Sequence, residues 1–348
     1  MDILVLLFLT SGLFLGWALG ANDAANVFGT AVGTKMVKWR TAAIVCSIFV
    51  ILGAVNSGAG TSLTLGRLGA ITALPGAFMT ALSAAIAVYT MIKSGIPSST
   101  TQAIVGAIVG WNLFSGNATD FNTLTTIMST WIICPLLSAI VAIILYKALK
   151  FLSRHIKLHM VMADAYTRVG LILAGSFGAY SLGANNIANV VGVFIPARPL
   201  PDLFVGQWMI TSTQQLFLLG GLAIALGVFT YSRGVMMTIG GNLGRLSPTA
   251  ALIAVTAHSI VLFVFASRGL EAWLSGNGLP TIPLVPVSSS QAVVGAIVGI
   301  SILQGATGIR WSVLGKIVAG WVTTPIVASI ICFIGLFFIQ NVFGLVVI

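Results

Sequence analysis

The chain has 348 residues, of which 58% are hydrophobic and only 6% are charged, whereas a soluble domain carries about 25% charged residues. A water-soluble fold of this length cannot bury so much apolar surface, so a soluble enzyme or binding domain is excluded. The formal net charge is +10, but the basic residues lie at the ends of apolar runs, which predicts membrane lipids rather than nucleic acid as partners. A multi-pass protein of the cell membrane, plasma or bacterial inner, is therefore expected.

The first apolar run leads into the sequence Gly20-Ala-Asn-Asp-Ala-Ala-Asn. The chain stays apolar for about thirty residues here, while a straight helix needs only about twenty to cross a bilayer, so a helix break at residues 20–23 is predicted. Asp23 is the one acidic residue, of six in the chain, that lies inside an apolar run. A carboxylate at bilayer depth is normally offset by a cation or a proton. Asn22 and Asn26 add amide oxygens, which suit a hard cation such as Na⁺.

Two simpler interpretations of this motif stay open at this point. Asp23 could pair with a basic residue merely to hold two helices together, and Asn22 and Asn26 could serve as polar contacts between helices. The recurrence of the whole motif later in the chain argues against the second of these.

The next polar element is Pro97-Ser-Ser-Thr-Thr-Gln, directly before a clean apolar run. A proline, then hydroxyl residues, then an apolar run is the pattern of a helix start. The free amides and positive dipole end of such a helix can bind an anion. The predicted anion ligands of this segment are Ser98, Ser99, Thr100, Thr101 and Gln102.

The densest basic stretch covers residues 147–168 and is expected to be a short cytoplasmic linker. Five crossings fit before it, which places the N-terminus outside the cytoplasm. Because five is odd, a second copy of the same unit would run through the membrane upside down, as in many secondary transporters. The predicted division is a first repeat over 1–146, the linker over 147–168 and a second repeat over 169–348.

The second copy can be read directly in the sequence, because four patterns return in the same order. The pairs are 20–27 with 183–190, 65–68 with 243–246, 98–103 with 287–292, and Trp131 and Pro135 with Trp321 and Pro325. The predicted fold is therefore an all-α polytopic membrane protein. Its two inverted-topology repeats should carry broken helices and helical hairpins that meet at the midplane, in 10–12 membrane segments. The anion ligands predicted from the second copy are Ser288, Ser289, Ser290 and Gln291.

The duplicated Gly-Ala-Asn-Asp-x-x-Asn motif and the two Ser/Thr-Gln segments resemble the signature of the inorganic phosphate transporter family. This family includes sodium-coupled and proton-coupled members and some bacterial sulfate permeases. The resemblance covers essentially the whole chain and implies phosphate uptake with substrate and cations at the midplane. One departure matters: Asn186 stands where the family commonly has Asp, which removes a buried negative charge from the second copy.

The leading hypothesis is a secondary active transporter that imports inorganic phosphate by symport with Na⁺, with no cofactor besides this co-transported ion. Na⁺ is assigned to Asp23, Asn22 and Asn186 in particular, within a larger set of cation ligands: Asn22, Asp23, Asn26, Asn185, Asn186 and Asn189. The alternatives are an H⁺-coupled metal-phosphate or sulfate symporter of the same fold and, less favoured, an anion channel. No metalloprotease or nucleophile motif is present, so an enzyme is not expected. A homodimer is one option that the sequence leaves open.

Overall fold

The computed structural model describes residues 3–94, 98–155, 159–206, 208–242, 246–305 and 311–348, and these are almost entirely helical. The helices are α1 Ile3–Gly33, α2 Trp39–Ser57, α3 Ala59–Gly69, α4 Leu74–Lys93, α5 Thr100–Ser115, α6 Phe121–His155, α7 Met160–Val191, α8 Ser212–Asn242, α9 Pro248–Val264, α10 Arg268–Gly276, α11 Ser289–Leu303 and α12 Trp311–Asn341. A 3₁₀ turn, Gly192–Phe194, follows α7. A small antiparallel hairpin, β1 Leu203–Val205 with β2 Trp208–Ile210, precedes α8 and was not expected from the sequence.

Six of the described helices are long and apolar enough to cross a membrane, namely α1, α2, α4, α6, α8 and α12. Helices α9 and α10, which meet at a 64° bend, would make a seventh span. Helices α5 and α11 have 16 and 15 residues, so each is only about 22–24 Å long and falls short of the ~30 Å hydrocarbon core. The chain is therefore a polytopic helical membrane protein in which two short helices begin inside the protein.

The outer helices present their apolar side chains to the surroundings. The most apolar windows of α6 and α12 are only 17% and 22% buried. Ile132, Leu136 and Ile140 on α6, and Ile326 and Ile330 on α12, are all more than half exposed. In water such faces would be highly unfavourable, but lipid chains cover them without cost.

The predicted break at residues 20–23 is wrong, because α1 continues as an α-helix from Ile3 to Gly33. Gly20 instead allows α1 to pack closely on α8, since a Cβ at this position would overlap the carbonyl oxygen of Ile224. Gly183, its counterpart in the second copy, packs in the same way against the carbonyl oxygen of Val50 on α2. The helical breaks lie elsewhere: at Gly58 between α2 and α3, at the α9–α10 bend, and in the extended residues before α5 and α11.

Each of the two short helices packs against a long helix from the other half of the chain. Helix α5 packs against α12, where Gly106 lies against the backbone of Pro325, and α11 packs against α6, where Gly295 lies against the backbone of Pro135. Both contacts pair equivalent positions of the two sequence copies. This reciprocity supports a two-repeat organisation, while the opposite membrane orientation of the two repeats stays a prediction.

Replacing Gly106 or Gly295 with Ala is expected to lower the thermal stability of the detergent-solubilised protein. The added Cβ of Gly106→Ala or Gly295→Ala would overlap a proline carbonyl of the neighbouring backbone, and such overpacking costs about 1–3 kcal/mol. Gly315→Ala on α12 is the matched control, because no atom lies within 4 Å of its added Cβ. Unfolding monitored by tryptophan fluorescence would measure the shift. Equal melting temperatures for all three variants would contradict the packing.

The predicted linker is largely an extension of its neighbouring helices. Helix α6 continues to His155 and α7 begins at Met160, while residues 156–158 lie outside the described chain. Asp164 and Arg168, on the first turns of α7, form an exposed ion pair of 3.4 Å. Residue 97, the proline before the first hydroxyl-rich segment, and residues 243–245, which belong to one of the repeated patterns, also lie outside the described residues. The boundaries 1–146, 147–168 and 169–348 therefore stay predictions.

Candidate functional site

The two hydroxyl-rich segments form two helix starts, as predicted. Ser99 caps α5 with its side chain accepting a hydrogen bond from the Gln102 amide at 3.3 Å, and Ser288 caps α11 by accepting from the Gln291 amide at 3.3 Å. The first amides of a helix have no acceptor within the helix, so both ends present unpaired N–H groups and a positive dipole end. All nine predicted anion-segment residues are at most 3% exposed.

Reciprocal hydrogen bonds hold the two helix starts side by side. The hydroxyl of Thr101 donates to the carbonyl oxygen of Val287 at 3.2 Å, and the hydroxyl of Ser290 donates to the carbonyl oxygen of Ser98 at 2.9 Å. In the sequence repeat, Thr101 corresponds to Ser290 and Ser98 corresponds to Val287. The sequence copies therefore meet through equivalent contacts, and the two positive helix ends lie at one place.

Asp23 is buried beside these helix starts, with only 3% of its surface exposed. Its Oδ1 accepts hydrogen bonds from the side-chain amides of Asn22 at 2.7 Å and Asn26 at 3.2 Å. Among the described residues, no basic side chain forms an ion pair with it, since Arg168 with Asp164 is the ion pair found there. The interpretation of Asp23 as a partner in a helix-bridging ion pair has no support.

The asparagines of α1 connect the carboxylate to both anion segments. Asn22 Nδ2 also donates to the carbonyl oxygen of Ser98 at 3.2 Å, and Asn26 Nδ2 donates to the hydroxyl of Ser289 at 3.1 Å. One turn of α1 thus contacts the start of α5 and the start of α11. The predicted cation and anion residues therefore form one continuous polar cluster.

The second copy of the motif contacts the same cluster from α7. Asn189 Nδ2 donates to the Thr101 hydroxyl and to Asn186 Oδ1, both at 2.9 Å. Asn186 Oδ1 also lies 3.3 Å from the Thr101 hydroxyl. Because residue 186 is an amide, this half contributes no carboxylate, and Asp23 is the acidic side chain of the cluster.

Asn185 has a different role from the other asparagines. Its Oδ1 accepts from the Val287 amide at 2.8 Å, while its Nδ2 donates to the carbonyl oxygens of Leu262 and Val285 at 3.3 Å each. Backbone groups thus occupy both ends of its side chain. These contacts position the extended segment before α11. They give no support to Asn185 as a cation ligand.

Several buried polar atoms of the cluster have no hydrogen-bond partner among the described residues. They are the hydroxyls of Ser98 and Thr100, Oε1 of Gln102 and Gln291, Nδ2 of Asn186, and Oδ1 of Asn189. A buried polar group without a partner costs about 1–3 kcal/mol, so each one calls for an explanation such as a bound ion, ligand or water. Both unpaired donors and unpaired acceptors are present, which fits a site that holds an anion and a cation together.

Comparison with known proteins agrees with this geometry. Residues 19–331 match the profile of the phosphate transporter family. The chain belongs to this family. It is therefore a transporter-family protein and not an enzyme, and its described helices are those of a multi-pass membrane protein.

Individual relatives of this phosphate transporter family member cover nearly its whole length. A protein that carries the name phosphate permease in Methanocaldococcus jannaschii is 29% identical over 322 residues, which is 92% of this chain and 93% of the relative. A sulfate permease of Bacillus subtilis is 28% identical over 347 residues, covering 96% and 87%. A solved structure described as the sodium-dependent phosphate transporter shares the fold, with a TM-score of 0.77, 20% identity and coverage of 97% and 99%.

The structure adds one residue that the sequence analysis did not assign to the site. His258 on α9 is fully buried, and its Nε2 lies 2.9 Å from the hydroxyl of Ser289. Its position as the one titratable side chain in an apolar helix is a signal that could have been noticed. Its contact with α11, 31 residues away along the chain, could not be read from the sequence.

Proposed function

We propose that this chain imports inorganic phosphate across the cell membrane by symport with Na⁺. The observation that carries the proposal is the single buried carboxylate of Asp23, which lies without a basic partner in the described structure and is joined through Asn22 and Asn26 to both helix starts. A negative charge in that position disfavours an anion unless a cation neutralises it first. Binding of the two ions is therefore expected to be interdependent.

The helix starts supply what a tetrahedral oxyanion needs. Phosphate has four oxygens and accepts many hydrogen bonds, and helix N-termini offer amides and positive dipole ends to it. The hydroxyls of Ser98 and Thr100 are unpaired and can donate to it. The hydroxyls of Thr101 and Ser290 already join the two segments, so they set the distance between the two halves of the anion site.

The cation is assigned to Asp23 with amide oxygens from α1 and α7. Asn22 and Asn26 at present direct their NH₂ groups toward the carboxylate. Rotation of each side-chain amide by about 180° would exchange its oxygen and NH₂ group and direct the oxygen toward Na⁺, which gives oxygen ligands to a hard cation. Asn186 and Asn189 both contact the Thr101 hydroxyl, and they complete the proposed set of cation ligands.

Voltage sets the minimum number of cations. Moving a dianion into a cell that is negative inside costs about 4.6 kcal/mol per 100 mV, at about 2.3 kcal/mol per charge. Two co-transported Na⁺ ions would cancel this cost, and a third would let the membrane voltage drive uptake.

The proposal includes a cytoplasmic 147–168 segment beside anionic lipids, an extracytoplasmic N-terminus and, as an untested option, a homodimer.

One relative favours a second substrate. The sulfate permease of Bacillus subtilis is almost as similar to this chain as the archaeal protein named as a phosphate permease, at 28% against 29% identity. Sulfate is also a tetrahedral oxyanion and would use the same donors. A proton on Asp23 in place of Na⁺ would give the H⁺-coupled form of the same transporter.

Uptake of radiolabelled phosphate into proteoliposomes tests the proposal. An inward Na⁺ gradient is expected to drive accumulation above the equilibrium level, whereas an H⁺ gradient alone is expected to drive little. Uptake with H⁺ only would make Asp23 a proton carrier, and loss of phosphate uptake to a small excess of sulfate would reassign the substrate. Flux that does not saturate would instead indicate an anion channel.

A further inference from the structure

An aromatic cluster outside the polar cluster around Asp23 joins α1 to α4 and α8. Trp17 on α1 lies at its centre, with its ring centroid 5.9 Å from that of Phe14 on the same helix. The same indole lies 6.2 Å from the ring of Tyr89 on α4 and 5.6 Å from that of Tyr231 on α8. Each of these rings is partly exposed, so a ligand can contact the cluster from outside the protein.

Two basic side chains lie over rings on this surface. Lys93 Nζ, in the last turn of α4, is 5.6 Å from the ring centroid of Tyr89. Arg233 Cζ, two residues after Tyr231 on α8, is 5.9 Å from the ring centroid of Trp39 at the start of α2. Both distances are within the range of cation–π contacts, and both cations are exposed. We call the six residues that these contacts join the basic aromatic patch: Trp17, Trp39, Tyr89, Lys93, Tyr231 and Arg233.

The surroundings of the basic aromatic patch are also basic. Lys35, Lys38 and Arg40 lie in the connection between α1 and α2 and in the first turn of α2, and all three are exposed. The sequence of α2, α4, α8 and this connection contains no acidic residue. On α1 the acidic residue is Asp23, which is buried in the polar cluster. The patch therefore carries positive charge without a carboxylate on these segments to neutralise it, and it is complementary to an anionic ligand.

Exposed apolar side chains border the basic aromatic patch. Phe229 is 46% exposed and lies one turn before Arg233 on α8, and Ile44 is 50% exposed and lies one turn after Arg40 on α2. Lipid chains cover apolar faces of this kind, so a change from apolar to basic side chains within one turn marks the level of the lipid headgroups. Trp and Tyr also concentrate at that level. A ligand with apolar chains and an anionic head fits this surface.

We infer that the basic aromatic patch binds the anionic headgroup of a membrane phospholipid, whose phosphate contacts Arg233 and Lys93 while its chains cover the apolar faces of α2 and α8. An arginine can stack on a ring and present its planar fork to a phosphate at the same time. Free phosphate has no chains and would leave the apolar border uncovered. The lipid would join α4 to α8, which both pack on α1, the helix that carries Asp23.

Binding of radiolabelled dioleoyl-phosphatidylglycerol to the delipidated full-length protein, in mixed micelles with a nonionic detergent, tests the inference. Its binding is expected to saturate and to be about tenfold tighter, or more, than that of dioleoyl-phosphatidylcholine, which has the same chains and no net charge. Arg233→Gln should raise the phosphatidylglycerol Kd about fivefold or more, because one cation is lost. Arg233→Lys keeps the charge but loses the planar fork, and should raise this Kd about threefold or more.

Lys316→Gln is the matched control, because Lys316 is an exposed cation on α12 beside the exposed Val318 and has no ring contact in the described chain. Its phosphatidylglycerol Kd should stay within about twofold of that of the unmodified protein. If Arg233→Gln does not fold, Lys93→Gln takes its place.

Equal binding of the two lipids, or an equal loss in Lys316→Gln and Arg233→Gln, would overturn the inference. An unchanged Kd in Arg233→Lys would also overturn it, because net charge alone would then attract the lipid. Displacement of phosphatidylglycerol by inorganic phosphate, beyond that by chloride at matched ionic strength, would make the patch a site for a free anion instead. The assay needs no transport, so its result does not depend on the proposed function.

Discussion

Replacing Asp23 with Asn is expected to reduce Na⁺-driven phosphate uptake by about 30-fold or more while the protein still folds. Removing the charged partner of a buried ion costs about 2–5 kcal/mol, which corresponds to this loss or a larger one. The variant should fold because Asn has the same shape as Asp and keeps an oxygen that can accept the hydrogen bonds now made by Asn22 and Asn26. Initial uptake rates in proteoliposomes over a range of Na⁺ concentrations measure the effect.

Asp164→Asn is the matched control, because it removes a carboxylate from an exposed ion pair on α7. Such pairs contribute little, so its uptake should equal that of the unmodified protein. Undiminished Na⁺-driven uptake in Asp23→Asn would show that the cation binds elsewhere. If the variant instead retains Na⁺-driven uptake but loses a response to pH gradients, Asp23 carries protons.

The parts of the site that could be predicted from the sequence are those whose sequence pattern occurs in both repeats. The pattern of hydroxyl residues before an apolar run defines a helix start locally, and both predicted starts are confirmed at Thr100 and Ser289. The recurrence of these patterns in one order also suggested that the two segments would meet. The hydrogen bonds of Thr101 and Ser290 to each other's segment agree with that expectation.

The parts that could not be predicted depend on distant neighbours. Gly20 was expected to break α1, but its role is set by Ile224, more than two hundred residues away, whose backbone it allows to approach. Asn185 and Asn22 occupy the same position in the repeat, yet Asn185 is engaged by the backbone of residues 262, 285 and 287. Local patterns identify which side chains are polar in an apolar run, but only the packed structure decides which of them remain free for a ligand.

Removing the two bridging hydroxyls together tests whether the helix starts form one site. Thr101→Val and Ser290→Ala are each expected to weaken phosphate binding about tenfold, because each removes one of the two hydroxyl hydrogen bonds that hold the helix starts together. If one anion contacts both segments, displacement of either helix start already spoils the shared geometry. The phosphate Kd of the double variant should then rise by clearly less than the product of the two single increases. This difference corresponds to a coupling energy of about 0.5–3 kcal/mol.

The controls for this cycle are Thr323→Val and Ser153→Ala, whose hydroxyls are exposed and bond to their own helices, at 3.0 Å from Ala319 O and Lys150 O. Both should leave the phosphate Kd unchanged. If the two single effects multiply in the double variant, the helix starts bind independently, and the two halves would hold two anions rather than one. Coupling would instead mean that neither half can bind phosphate by itself, because the donors of one tetrahedral anion are divided between α5 and α11. Any opening motion that separates these two helices would then release the anion and, through Asn22 and Asn26, disturb the cation at Asp23 in the same step.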